Sequence, residues 1–169
     1  MHEKSIEMLN RAIADELSAV HQYMYFHFHC DDAGYDLLAN LFKKTAIEEM
    51  LHIERLAERI LFLKGDVTML TADAVRQITE VGEMLQCAAS MEEHSAHQYN
   101  LWANDAGANA DSATKRLFED LVTDEERHYD QYATEMENMA KYGDRYLALQ
   151  SIERSKVVSM RVTGQTPAQ

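Results

Sequence analysis

The sequence predicts an all-α protein: four long helices packed as a bundle, with a short fifth helix at the end. Three observations carry this. The only proline is Pro167, so nothing interrupts a helix before the last few residues. Glycines punctuate the chain at Gly34, Gly65, Gly107 and Gly143, and the segments between them place apolar residues at helical rather than alternating spacing. Lastly, Glu16, Tyr23, Glu49 and His52 recur as Glu92, Tyr99, Glu125 and His128, each 76 residues later. One constant offset for four such residues points to two helical hairpins related by pseudo-symmetry.

The first helix is expected from about Lys4 to about Asp31, with Ile6, Leu9, Ile13, Leu17, Val20 and Tyr23 on one stripe that also contains Glu16. After the Asp31-Asp32-Ala33-Gly34 turn, the second should run to about Lys64. It carries Leu38, Leu41, Phe42, Thr45, Leu56, Arg59, Ile60 and Leu63, with Glu49 and His52 in place of core residues. Gly65 to about Thr79 fits neither helical nor strand period and reads as a long crossover. A helix of roughly 30 residues is about 45 Å long. Roughly 14 extended residues at about 3.3 Å each span that length. The third helix can then restart at the far end, parallel to the second, from about Glu80 to Asp105. Gly107 is the expected second hairpin turn, the fourth helix covers about Asp111 to Tyr142, and Gly143 ends it. Asp144 to about Glu153 suits a short fifth helix. One domain is expected over residues 1–158, and residues 159–169, rich in Thr, Gly, Gln and Pro, read as a disordered tail.

A length of 169 residues suits one domain with a sizeable core. The start of the chain has neither a basic segment nor an apolar h-region, and no 18-residue apolar run follows, so a soluble cytoplasmic protein is expected, with no membrane partner. A formal net charge of −13 disfavours nucleic acid and attracts cations. Cys30 and Cys87 form no Cys-x-x-Cys, which argues against a rubredoxin-type or zinc-ribbon module, and they read as two reduced, packed thiols.

Residues three apart on a helix project from nearly the same side, so Glu49 with His52 can bind one metal ion and Glu125 with His128 a second. Counting from Glu16 up to Gly34 and back down to Glu49 brings those carboxylates to one height, and the count from Glu92 through Gly107 to Glu125 does the same. Four carboxylates in an apolar core would repel one another and protonate. Two divalent cations resolve this: four negative charges and two neutral imidazoles match two M²⁺ ions. Hard oxygen with imidazole suits iron or manganese. His27, His29 and Cys30 do not make a further site, because residues two apart point to opposite sides of a helix. His94 and His97 face away from the inner stripe.

These ligand rows resemble the bacterioferritins, members of the ferritin-like di-iron superfamily, whose known pattern is one Glu from each of two helices and Glu-x-x-His from each of two others. The resemblance spans nearly the whole chain. It is carried by Ile47-Glu-Glu-Met-Leu-His52, Glu58-Arg-Ile-Leu-Phe-Leu63, His21-Gln-Tyr23, Arg116-Leu-Phe118 and Glu125-Glu-Arg-His128. It implies a ferritin-like four-helix bundle whose crossover is the B–C connection. It further implies Glu49 and Glu125 as bridging ligands, Glu16 and Glu92 as terminal ones, and one iron on each of His52 and His128. The implied activity is that of a ferroxidase: Fe²⁺ is oxidised by O₂ or H₂O₂ and stored as ferric mineral inside a 24-subunit shell. Met50 turns about 100° from Glu49 and so faces away from the metal, and its repeat counterpart is the polar Glu126. By the resemblance Met50 is the axial ligand of a haem b, or related porphyrin, shared between two subunits. Interface packing is the competing reading. A ferredoxin-type reductant for iron release is the further implied partner. Tyr23 and Tyr99 suit either hydrogen bonding to the ligand carboxylates or core packing. Where some members have a cavity-wall histidine five residues before Glu49, this chain has Lys44. Acidic residues such as Glu48 remain for collecting iron there.

Two alternatives share the metal pattern. A rubrerythrin-like di-iron peroxidase would be expected to bring a Cys-x-x-Cys electron-transfer module. A DNA-protecting mini-ferritin would place its ligands across a subunit interface and carry a basic arm.

Overall fold

The computed structural model describes residues 2–152; the expected tail, the 158/159 boundary and the last residue of the expected fifth helix lie outside them. The elements are α1 (Glu3–Asp32), α2 (Asp36–Phe62), α3 (Val81–Ala108), α4 (Ser112–Tyr142) and the short α5 (Arg145–Gln150), with no strand among the described residues. α1 with α2 and α3 with α4 form the tightly packed antiparallel hairpins, while α1 faces α3 and α2 faces α4 across wider gaps. The start of α1 lies beside the end of α3, where Lys4 meets Asp105 at 3.4 Å. The end of α2 lies beside the start of α4, where Arg59 meets Asp111 at 2.6 Å. α2 and α3 therefore run parallel, and the long crossover between them follows.

The expected stripe on α1 is corrected in detail. Leu9, Ala12, Ile13, Glu16, Ala19, Tyr23, Phe26 and Cys30 are buried, while Leu17 and Val20 lie only partly buried on its flank. The second hairpin turn is also corrected. Gly107 lies inside α3, and the left-handed residue is Ala110, with φ of 57°. Ala110 stands 76 residues after Gly34, which has φ of 82°. The repeat thus extends to the backbone of the turns. Gly107 packs close to α4 instead: a Cβ there would sit 3.1 Å from Cδ of the flexible Lys115 side chain, which would have to give by a few tenths of an ångström. Gly143, with φ of 53°, terminates α4 as expected.

The crossover is anchored by a polar rail on α1. Asn10 bonds the backbone of Asp66 and Thr68. The Ser18 hydroxyl accepts the N–H groups of Ala72 and Asp73. The Gln22 amide exchanges two hydrogen bonds with the backbone of Arg76. An extended segment has no backbone ladder of its own, so these side chains satisfy its peptide groups.

The apolar core is split in two. One half gathers Tyr23, Phe26, Leu38, Phe42, Leu85, Tyr132 and Tyr146; the other gathers Leu9, Ile13, Leu56, Ile60, Tyr99, Trp102, Phe118 and Leu121. The aromatic groups repeat: Tyr23, Phe26 and Phe42 correspond by the 76-residue offset to Tyr99, Trp102 and Phe118. In each trio the third ring stands within 6.4 Å of the other two. Trp102 is thus the counterpart of a packing phenylalanine. Each such ring contributes about 1.5–3 kcal/mol by burial. Between the two halves lies a layer of charged residues.

Candidate metal centre

That layer consists of Glu16 from α1, Glu49 and His52 from α2, Glu92 from α3, and Glu125 and His128 from α4, all at most 4% exposed. Each replaces an apolar residue in the inward stripe of its helix, and the three-residue spacing aims each Glu and His pair at one point. Their ligand-capable atoms form two overlapping groups, Glu16, Glu49, His52 and Glu125 in one and Glu49, Glu92, Glu125 and His128 in the other. Within each group these atoms lie within 4.8 Å of one another. Glu49 and Glu125 belong to both.

The individual oxygens show how the sharing works. Around His52 Nδ1 stand Glu49 Oε2 at 2.8 Å, Glu125 Oε1 at 3.1 Å and Glu16 Oε1 at 3.2 Å. Around His128 Nδ1 stand Glu49 Oε1 at 3.1 Å, Glu125 Oε2 at 3.6 Å and Glu92 Oε2 at 3.6 Å. Each central carboxylate therefore turns one oxygen to each imidazole. The outer carboxylates serve one side each and are oriented crosswise: Tyr99 donates its hydroxyl proton to Glu16 at 2.5 Å, and Tyr23 donates to Glu92 at 2.5 Å. Both readings of these tyrosines are realised: each ring packs in its half of the core while its hydroxyl bonds the acid layer.

The electrostatics are those of a cation site. Burial, with repulsion from Glu49 and Glu125 behind it, raises the Glu16 carboxyl well above the usual range. Burial, with Glu125 beside it, pushes Glu92 up to about 8. Burial alone would lower both imidazoles, but the carboxylates pressed against them win and raise both. These shifts mark a layer whose crowded carboxylates favour any positive charge placed among them. Both oxygens of Glu49, Glu125 Oε1 and His128 Nδ1 are buried without a hydrogen-bond partner. Buried carboxylate and imidazole atoms that face one another at ion-pair distance without hydrogen bonds, converging on two points, are the mark of a donor set built for metal ions. Four carboxylates and two imidazoles fit two divalent cations with hard-oxygen preference.

Four residues beside the layer, Glu48, Asp124, Arg127 and Tyr132, are outside the donor set expected from the sequence, which assigned Glu48 only the collection of iron at the cavity wall. Glu48 Oε2 lies 2.6 Å from the outward Nε2 of His128. Asp124 Oδ2 lies 3.3 Å from the outward Nε2 of His52. Burial raises the Glu48 carboxyl, but hydrogen bonds from His128 and Arg127 outweigh it, and its pKa is lowered. Glu48 and Asp124 are themselves 76 residues apart, so the repeat held the signal. Arg127 contacts both acids and has no acidic or basic counterpart in the repeat, where Leu51 stands. Tyr132 was missed as well. It is buried against Tyr23, with ring centroids 5.7 Å apart, and its counterpart is the core residue Leu56.

Met50 lies outside this cluster. It is 51% exposed on α2, beside the exposed Ile47 and Leu51, while Glu126 is exposed on α4. Lys44 is exposed, its Nζ 3.8 Å from Glu48. His27 Nδ1 meets the Ala39 carbonyl, Cys30 packs on Met84, and neither they with His29 nor His94 with His97 form a metal-competent group among the described residues. Cys30 and Cys87 are free, buried thiols. No helix among the described residues is long and apolar enough to cross a membrane.

Comparison with known proteins agrees with the geometry. A ferritin-like domain model matches residues 6–150. The bacterioferritin of Desulfovibrio desulfuricans is 37% identical over 86% of this chain and 81% of its own. That of Brucella melitensis is 34% identical over 83% and 88%. A crystal structure of the D. desulfuricans protein, described with its diiron site in different catalytic states, superposes with a TM-score of 0.86 at 36% identity, covering 88% of this chain and 86% of that one. One of Rhodobacter capsulatus bacterioferritin, described with a metal-free dinuclear site and heme iron in a crystallographic special position, gives 0.83 at 32% identity over 88% and 92%. A match to the ferritin-like model across most of the chain, with these relatives aligned over nearly their whole lengths, makes the chain a member of the bacterioferritin family.

Proposed function

We propose that this protein stores iron in the cytoplasm, as a ferroxidase that takes Fe²⁺ at the paired positions of the acid layer, oxidises it with O₂ or H₂O₂, and deposits ferric mineral in a shell of 24 copies. The observation that carries this reading is the sharing of Glu49 and Glu125 between the two imidazoles. Glu49 and Glu125 would bridge two ions, Glu16 and His52 complete one position, and Glu92 and His128 the other. Each Fe²⁺ supplies one electron on becoming Fe³⁺. The chain's own part is to hold both ions in one dry layer, neutralise their charge and direct each carboxylate. The Tyr99 and Tyr23 hydroxyls fix Glu16 and Glu92 by hydrogen bonds to charged acceptors, each worth about 1.5–3 kcal/mol. All six donors come from one chain, which supports an intra-subunit centre over the interface site of a mini-ferritin.

Met50 would ligate a haem b shared by two copies across a two-fold axis. Its exposed side chain among apolar neighbours fits that use. A crystallographic special position lies on a symmetry element, so the haem iron described for the Rhodobacter relative suits sharing by identical subunits. The haem would supply an electron path for reductive release, with a ferredoxin-type protein as donor. Size-exclusion chromatography combined with an absorbance spectrum and stopped-flow Fe²⁺ oxidation tests the whole reading. A particle of about 24 subunits with a bis-methionine Soret band and rapid oxidation is expected; a dimer or 12-mer would sink the storage shell.

A further inference from the structure

Between Glu48 and Asp124 stands a cation that the metal layer itself does not use. Arg127 Nη2 lies 3.0 Å from Glu48 Oε2 and 3.3 Å from Asp124 Oδ1. The two acids meet the outward nitrogens of imidazoles from the opposite hairpin, Glu48 of α2 on His128 of α4 and Asp124 of α4 on His52 of α2. An imidazole that offers Nδ1 to a cation keeps its proton on Nε2, and a carboxylate accepting that proton fixes both tautomer and ring plane. One guanidinium thus ties together the partners of both rings.

We propose that Arg127 is a positioning residue that holds Glu48 and Asp124 over the outward nitrogens of His128 and His52, and so sets how tightly the two metal positions bind. The inference rests on the di-metal reading above. The two clamps are unequal. Glu48 approaches its imidazole to 2.6 Å and is 24% exposed. Asp124, one methylene shorter, stands off at 3.3 Å, is 33% exposed and is shared with Arg55 at 3.6 Å. The His128 position is therefore the tighter of the two.

The test is titration of the assembled, chelator-stripped protein with Co²⁺, followed by d–d absorption and calorimetry. The parent should take up two Co²⁺ per chain in two steps. Arg127→Gln should weaken binding by about 10-fold, at the lower end of the loss usual for residues supporting metal ligands, and should alter the d–d envelope. Arg127→Lys, which keeps the charge but replaces the rigid, planar guanidinium by a flexible, strongly hydrated ammonium, should recover part of the loss. The sign discriminates. Removing a positive charge from a chain of net charge −13 raises its general attraction for cations, so a bystander arginine would leave binding unchanged or tighter on substitution. Unchanged or tighter Co²⁺ binding in Arg127→Gln would overturn the proposal. Arg127 is 43% exposed, so the variant should fold, as its far-ultraviolet circular dichroism will check. Glu48→Gln should weaken chiefly the first step and Asp124→Asn the second; the reverse would overturn the inequality. A parent that binds no Co²⁺ pair would instead remove the di-metal reading beneath it.

Discussion

The α1/α2 hairpin and the α3/α4 hairpin are two versions of one plan, and the places where they agree differ in kind from those where they do not. They agree inside the bundle: Glu16 and Glu92, Tyr23 and Tyr99, Phe42 and Phe118, Glu49 and Glu125, and His52 and His128 occupy matching positions with crosswise partners. They diverge outside it. Met50 faces out where Glu126 does, Gln22 ties down the crossover where Gln98 lines a groove, and Leu51 matches Arg127. Two ions held by like sets of donors need two like halves. A crossover needs only one, and so would a haem on Met50.

If the halves are equal at the centre, Glu49→Ala and Glu125→Ala should each lower the initial rate of Fe²⁺ oxidation more than about 100-fold, since even residues supporting metal ligands cost up to that much. A large difference between the two variants in stopped-flow traces would break the symmetry. If they are unequal outside, Met50→Leu should abolish the haem Soret band and leave oxidation intact, and Glu126→Leu should do neither. Loss of oxidation in Met50→Leu would mean that the two functions of α2 are not separate.

Metal removal sharpens the comparison through pH. Glu16 and Glu92 both have raised carboxyls, Glu92 at about 8. The folded, metal-free protein therefore binds more protons than the unfolded chain, and the stability from this source is full below the ordinary carboxylate value of 4.5 and is lost as pH rises towards 8. The raised imidazoles add to the loss above 6.5. Glu125, whose pKa is lowered, already contributes fully above 4.5. Melting temperature of the chelated protein should fall from pH 5 to pH 8, and the metal-loaded protein, its ligands deprotonated throughout, should lack that slope.

The helix starts differ as well. Asp111 caps α4 by accepting the Thr114 N–H and pairs with Arg59 at 2.6 Å, whereas its counterpart Tyr35 makes no side-chain cap on α2. Asp111→Ala should cost about 3 kcal/mol in denaturant unfolding, because it strands a largely buried guanidinium and removes a cap. Smallest is the effect at the turns. Gly34→Ala should destabilise by about 1 kcal/mol, and Ala110→Gly should stabilise slightly, by up to about 0.5 kcal/mol, as the left-handed strain of Ala110 outweighs the added chain entropy.

Much of the centre was legible because metal chemistry constrains sequence locally. A Glu and His pair three apart is visible in one helix, and the constant offset joined the helices before any packing was known. The same offset marks Glu48 with Asp124 and Gly34 with Ala110. The first belongs to the repeated acidic-Glu-x-x-His and is visible in the sequence, but nothing there says that each acid meets the other hairpin's histidine; the second stayed hidden because alanine carries no signature of a left-handed turn. Arg127 and Tyr132 had no acidic, basic or aromatic twin, so only contact could reveal them.

By itself, the sequence determined the helices, the hairpin pairing and the six residues of the layer, since helical phase sets the apolar stripes and the counts through the two turns bring four acids to one height. The tertiary structure decided which oxygen faces which imidazole, which tyrosine serves which glutamate, how the crossover hangs from Asn10, Ser18 and Gln22, and that one arginine contacts the acids beside both histidines. These are distances between residues dozens of positions apart, and they exist only once two hairpins have docked and side-chain rotamers have settled against one another.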